Sequence, residues 1–180
     1  MNLNNWFEKG QTTAQYMADL ADLKDGFMQI YENFQVPEKD IDALQAKQTT
    51  RVIVLGEVWC GHCMLDIPIL FRTLEKANIP VRVLPRDSHL ELMDQYLTNE
   101  KRIIPIFIFL DEAGNELGTW GPMAPEVEKY ANSFKKNFPP KEDPAYEAAF
   151  KEYATESRKR FTTDEDLWHT VYEDIVHAMK

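Results

Sequence analysis

The spacing of hydrophobic positions changes several times along the chain. Over residues 1–50 they recur every three or four places. Tyr16, Leu20, Leu23, Phe27, Ile30, Tyr31 and Phe34 form one stripe, which predicts an amphipathic helix. Thr12 or Thr13 caps its start, Gly26 is a point of bending or interruption, and Pro37 opens a shorter helix with Ile41 and Leu44 inward. The period then disappears: Val52-Ile53-Val54-Leu55 is an unbroken apolar run of the kind that forms a buried strand. Helical character returns after residue 60 and continues to Ala77, and Val81-Arg82-Val83-Leu84 predicts a strand parallel to the first through a right-handed crossover. Ser88 caps a predicted helix over residues 89–97, with Leu90, Met93 and Leu97 on one face. Residues 106–110 and 116–120, joined by Asp111-Glu112-Ala113-Gly114-Asn115, read as an antiparallel hairpin, and Pro125 starts a helix to about Phe138.

After Pro139-Pro140, helical spacing resumes. Tyr146, Phe150, Tyr153 and Phe161 line one predicted helix; beyond a Thr162-Thr163 cap, Trp168, Val171, Tyr172, Ile175 and Met179 line another. The division that follows is an N-terminal helical extension over 1–50, a core over 51–140 and a C-terminal helical extension over 141–180, forming one compact domain. The N-terminal extension reads as a helical lid packed on the sheet; packing against the core is the expected fate of the C-terminal helices, with substrate binding or dimerisation as their other uses.

Charge refines this picture. The net charge is −10, and acidic residues outnumber basic ones 8 to 4 over 1–50, 12 to 10 over 51–140 and 10 to 6 over 141–180. The acidity therefore belongs mainly to the flanks, and it disfavours nucleic acid and anionic membrane as partners. No apolar run in residues 1–10 suits a signal peptide, and no stretch reaches the roughly 20 apolar residues of a membrane span. A cytoplasmic location is the expectation.

Candidate chemistry is concentrated after the first strand, where the only two cysteines stand in Trp59-Cys60-Gly61-His62-Cys63. Cys60 falls at a helix N-terminus, whose free N–H groups favour thiolate over thiol, while Cys63 lies one turn deeper. That asymmetry suits thiol–disulfide exchange: Cys60 attacks, and Cys63 resolves the mixed disulfide. The competing use of C-x-x-C is a zinc half-site, but zinc takes about four ligands. His62, His89, His169 and His177 form no ligand spacing with the pair, which leaves only a zinc bridging two chains.

The same segment resembles the thioredoxin-like proteins. Trp59-Cys60-Gly61-His62-Cys63 is similar to their active-site motif, and Pro68 falls where they place a helix-kinking proline. Arg102-Ile103-Ile104-Pro105-Ile106-Phe107 is similar to their cis-proline loop, and Gly121 to the glycine before their last helix. The resemblance covers residues 50–138. It implies the thioredoxin fold, an α/β architecture with a central mixed sheet flanked by helices, here extended at both ends. It also implies an oxidoreductase that reduces protein disulfides, with Cys60 as nucleophile and Cys63 as resolving thiol. Trp59, Gly61, Ile104 and Pro105 would form the platform for a disulfide-containing protein, and a thiol or a reductase would supply electrons. No cofactor or metal is implied.

Two features of the resemblance bear on redox direction. The Gly61-His62 dipeptide is similar to that of protein disulfide isomerases, where thioredoxins carry Gly-Pro; a solvent-facing His62, protonated, would stabilise the Cys60 thiolate and raise the potential. Ile104 instead resembles thioredoxins, since isomerases often have Thr there. Isomerase-like or oxidising exchange is thus one alternative, and an adaptor that binds partners through its helical extensions is another. One departure stands out: where thioredoxins bury an Asp and isomerases a Glu as proton acceptor, this chain has Val54. Glu57, on the strand-to-helix turn, is the candidate replacement.

Overall fold

A computed structural model of the chain describes residues 2–180. Strand β1 (Arg51–Gly56) runs through the middle of the molecule, and its residues from Val52 to Gly56 are all buried. Such burial on both faces explains why the segment shows no alternation of polar and apolar positions. A parallel neighbour, β2 (Val81–Pro85), flanks it on one side in the register Val52↔Val81 and Val54↔Val83. On the other side lies antiparallel β3 (Ile106–Leu110), which turns at Gly114 into β4 (Glu116–Trp120), giving the order β2-β1-β3-β4. Between β1 and β2 runs a long helix over Gly61–Ala77, closed by Asn78 in the left-handed conformation.

The N-terminal stripe is divided. Helix α1 (Asn4–Phe7) comes first, then α2 (Thr13–Ala18) and α3 (Lys24–Asn33), followed by a 3₁₀ turn at Glu38–Asp40 and α4 (Ile41–Gln45). A capping box between Thr12 and Gln15 starts α2. The break at residues 19–23 lets Tyr16 and Phe27 both turn onto Phe71 of the long helix, α5, with ring centroids 6.2 and 6.1 Å from it. Gly26 neither bends nor interrupts α3. It is a contact point, where a Cβ would lie 2.5 Å from the Met64 sulfur, so glycine lets α3 approach α5 closely. Before α2, Gln11 exchanges both backbone hydrogen bonds with Val83, at 2.8 and 2.9 Å.

The expected helix over 89–97 is much shorter. A 3₁₀ turn at Arg86–Ser88 leads into α6 (Leu90–Met93), and Ser88 does not cap it. The chain then reverses through Asn99 and Glu100, both at positive φ, with Thr98 and Lys101 bridged. Leu92 and Met93 are buried, whereas Leu90 and Leu97 stay exposed, so the predicted face is not one face.

Helix α7 (Pro125–Lys135) stops short of Phe138, and α8 (Tyr146–Thr163) and α9 (Glu165–Ala178) follow. Asp164, rather than the Thr162-Thr163 pair, caps α9 by accepting from the Leu167 N–H at 3.0 Å. Phe161, Trp168, Val171, Tyr172 and Ile175 bury their side chains in the same core as β1 and α5, and the Trp168 indole N–H donates to the Phe161 carbonyl at 2.6 Å. Both flanks therefore share one hydrophobic core with the sheet. Helix α9 also reaches β4, where the Trp120 indole N–H donates to Asp174 at 2.7 Å. The chain end is fixed beside β1, with the Thr49 N–H donating to the Lys180 carbonyl at 2.9 Å. No helix among the described residues is long and apolar enough to cross a membrane.

Candidate active site

The turn Glu57-Val58-Trp59 leads from β1 to Cys60, whose extended backbone makes it the N-cap of α5. Its sulfur accepts the Cys63 N–H at 3.4 Å, taking up one of the donors that a helix start leaves free. The two cysteines are free thiols that approach to 3.3 Å. Cys60 is half-buried and Cys63 fully buried. The Cys63 thiol, the backbone N–H groups of Cys63 and His62, and the Arg86 charge together hold Cys60 down at about 7, against the opposing effect of burial. Cys63 is pushed well above the usual thiol range, first by burial and then by its hydrogen bond and charge interaction with Cys60.

Facing the pair is the loop before β3. The Ile104–Pro105 bond is cis, and the Ile104 carbonyl lies 3.8 Å from the Cys60 sulfur, which donates to it when protonated. Ile104 and Pro105 themselves are buried. Gly121, at φ +122°, holds this loop from behind: a Cβ there would lie 2.3 Å from the Pro105 carbonyl oxygen. Trp59 is 57% exposed, with the Arg86 guanidinium 5.0 Å above its ring. Arg86 also donates to the Arg102 carbonyl at 3.0 Å, which joins Trp59, Arg86 and the proline loop into one surface around Cys60. Gly61 is exposed, and a side chain there would meet nothing.

His62 departs from expectation. Its ring does not face solvent; it lies under α8, 5.5 Å from the Phe161 ring and with Nε2 3.3 Å from the Tyr153 hydroxyl. Burial, followed by the Lys135 charge, lowers it to about 4, so at neutral pH it brings no positive charge to Cys60. Tyr153, whose hydroxyl meets the ring, lies ninety-one positions along the chain. Glu57 is likewise engaged elsewhere. Its Oε1 accepts from the Asp87 N–H at 2.9 Å, and its carbonyl accepts from the buried Tyr16 hydroxyl at 3.2 Å. It braces the turn from β1, with its carboxylate directed at the 3₁₀ turn after β2.

A different carboxyl is buried beside the sulfurs. Asp66, one turn beyond Cys63, is fully buried, and neither of its oxygens has a hydrogen-bond partner. Burial, then the charges of Cys60 and Asp174, raise it well above the usual carboxylate range. The sequence signal was present: an aspartate stands alone in Cys63-Met64-Leu65-Asp66-Ile67-Pro68-Ile69-Leu70. Among the described residues no three His, Cys, Asp or Glu side chains converge as metal ligands. A zinc bridging two chains would have to reach Cys63, which is sealed in the core.

A family profile described as thioredoxin matches residues 10–135. The chain belongs to the thioredoxin family. The matched region begins just before α2, so α2, α3 and α4, which lie outside the resemblance read over 50–138, are part of what the thioredoxin profile covers, while α1 lies outside it. Among the solved structures that are similar, two stand as examples. One is a protein of unknown function from Pseudomonas aeruginosa, 21% identical, with a TM-score of 0.63 over 90% of this chain and 95% of that one. The other is an HIV epitope-scaffold, 18% identical, with a TM-score of 0.67 over 98% and 96%. At these identities the likeness is one of fold, and its coverage extends to the C-terminal helices. No match to a curated protein sequence was found.

Proposed function

We propose that this thioredoxin-family chain is a thiol–disulfide oxidoreductase that reduces protein disulfides. The observation that carries the reading is the difference between two sulfurs 3.3 Å apart, one at a helix N-terminus and lowered to about 7, the other sealed and raised. Cys60 attacks a substrate disulfide, and Cys63 then displaces the substrate by closing the intramolecular disulfide. Trp59, Arg86 and the backbone at Ile104 supply the surface against which the substrate lies, and electrons return from a low-molecular-weight thiol or a reductase.

The reducing direction is favoured over the oxidising one. A nucleophilic thiol near 7 matches thioredoxin at about 7, whereas the strong oxidant DsbA holds its thiol at about 3.5. The neutral His62 also removes the charge that would have raised the potential. The test is an equilibrium titration of the Cys60–Cys63 couple in thiol–disulfide buffers, together with turnover of insulin disulfides under dithiothreitol. The expected potential lies near thioredoxin's, about −270 mV, with Cys60→Ser inactive and Cys63→Ser trapped as a mixed disulfide. A potential near −180 mV would assign the protein to disulfide shuffling, and the absence of a reversible disulfide would end the enzymatic reading.

A further inference from the structure

The two halves of α8 are held differently. From Ser157 onward the helix is fixed to the rest of the molecule: Ser157 and Phe161 are buried, and Arg158 donates to the Asp22 carbonyl at 2.8 Å. Residues 146–156, about three turns, have no such anchor. Tyr146, Ala149 and Tyr153 are half-buried there and every other side chain is exposed, so none of them belongs to the core that takes in Phe161 and Trp168. Ring contacts with α7 and the segment after it hold these turns, with Tyr153 5.4 Å from Phe134 and Tyr146 5.8 Å from Phe138. Among the described residues, the single side-chain hydrogen bond from these turns to another element is that of Tyr153 to His62. A segment with so few buried contacts opens locally while the molecule stays folded. Yet these turns lie over His62, inside the redox motif, and leave its Nδ1 buried without a partner.

We propose that residues 146–156 are a lid on the redox motif: closed, they keep the Cys60–Cys63 couple reducing, and their opening releases His62 to water and turns the couple towards shuffling or oxidising disulfides. The inference rests on the thiol exchange proposed above. Closed, the imidazole is neutral because burial, and then the Lys135 charge, disfavour its proton. Open, it faces water and titrates near the ordinary value of about 6.5. A proton taken up there sits beside Cys60 and stabilises its thiolate, which favours the dithiol over the disulfide and so raises the potential. The titratable groups around the imidazole are Cys60 and Cys63 at the start of its own helix, Lys135 and Tyr130 from α7 and Tyr153 from α8, with Arg160 over the Tyr130 ring. Of these, Lys135 opposes the proton and the Cys60 thiolate favours it. The Cys60 charge also acts on Tyr153, so the lid lies beside the nucleophile. Acid favours opening by linkage, because the open state binds a proton at about 6.5 that the closed state refuses until about 4.

Hydrogen exchange of the unmodified protein tests the lid. Amides of residues 146–156 are expected to exchange roughly 100-fold faster than those of α9, after correction for sequence and for the pH dependence of chemical exchange. Their opening constant should rise about tenfold from about pH 7.5 to about pH 5.5, a rise absent from His62→Gln. Protection equal to that of α9, or an opening that ignores pH, would overturn the proposal. Alkylation of Cys60 by iodoacetamide reads the consequence. Tyr153→Ala, which uncovers the imidazole, is expected to raise the rate at about pH 6, taken relative to the same protein's rate at about pH 8.5, about threefold over the parent. Tyr153→Phe keeps the ring in place and should keep the parent's ratio, and adding His62→Gln to Tyr153→Ala should remove the gain. An unchanged ratio in Tyr153→Ala, the same gain in Tyr153→Phe, or a gain that survives the loss of His62 would sink the lid. Neither measurement involves a disulfide substrate. Insulin left unreduced by a protein that shows the gain would end the proposed function alone, whereas insulin reduced by a protein without the gain would end this inference alone.

Discussion

A thiol at about 7 is half ionised at neutral pH, and the Arg86 charge contributes to holding Cys60 there. Alkylation of Cys60 by iodoacetamide should follow a midpoint near 7, and Arg86→Gln should slow it about twofold at pH 6, where the thiolate fraction is limiting. The neutral imidazole of His62 makes a contrasting prediction: His62→Gln should leave the reduction potential at pH 7 within about 10 mV of the parent, whereas loss of a charged imidazole would lower it further. Acid brings His62 into play. Its proton affinity is lowered on folding, so its contribution to stability is complete above about pH 6.5 and is lost as pH falls to about 4, by at most about 3 kcal/mol. Urea unfolding across that window should show the loss, and His62→Phe should flatten it. Asp66 has the opposite sign. Its folded proton affinity is raised, so it costs stability increasingly as pH climbs above about 4, where the unfolded carboxyl ionises. Asp66→Asn should therefore be more stable than the parent at pH 7, with the gain vanishing near pH 4. At this scale the two cysteines, the proline loop and Trp59 were legible because their signals are local in sequence. His62 was not, because its environment is set by a helix that the sequence does not place.

Helices α8 and α9 read from the sequence as an appendage, since amphipathic stripes say that a face is buried and not what buries it. In the structure that face completes the core around α5. Trp168→Ala should cost about 3–5 kcal/mol in chemical denaturation, as other large core truncations do. Phe150, from the same stripe but 52% exposed, should change stability by less than about 1 kcal/mol when replaced by Ala. Strands β1 to β4 were readable almost to the residue: the unbroken apolar runs at 52–55 and 106–110 are short and bounded by turn residues, and β2 and β4 follow from the turns that set them beside these runs. The segment after β2 was misread because Leu90 and Leu97 supply helical spacing without being buried, and the reversal at Asn99 and Glu100 depends on positive φ that neither residue type announces.

At the scale of the whole molecule, a single buried cluster runs from Leu3 to Met179. The three segments read from the sequence are accordingly proposed to unfold as one unit, with far-UV circular dichroism and tryptophan fluorescence giving superimposable transitions. Two separated transitions would restore the partition into core and appendages. The same cluster ties the redox site to both chain ends, through Tyr16 behind the Glu57 turn and Phe161 over His62.

The bonds between Gln11 and Val83 do more than anchor the N-terminal segment. The outward-facing backbone groups of β2 belong to Val81, Val83 and Pro85; the Val81 carbonyl accepts from Arg82, Val83 is taken by Gln11, and Pro85 has no N–H while its carbonyl lies 2.9 Å from His89 Nδ1. On the far side of the sheet, α9 lies along β4, with the Ala178 carbonyl 3.5 Å from where a Gly118 Cβ would be. That contact covers a face of β4, while the hydrogen bonds of Val81, Val83 and Pro85 occupy most of the β2 margin, so strand addition along β2 is disfavoured when such molecules are crowded together.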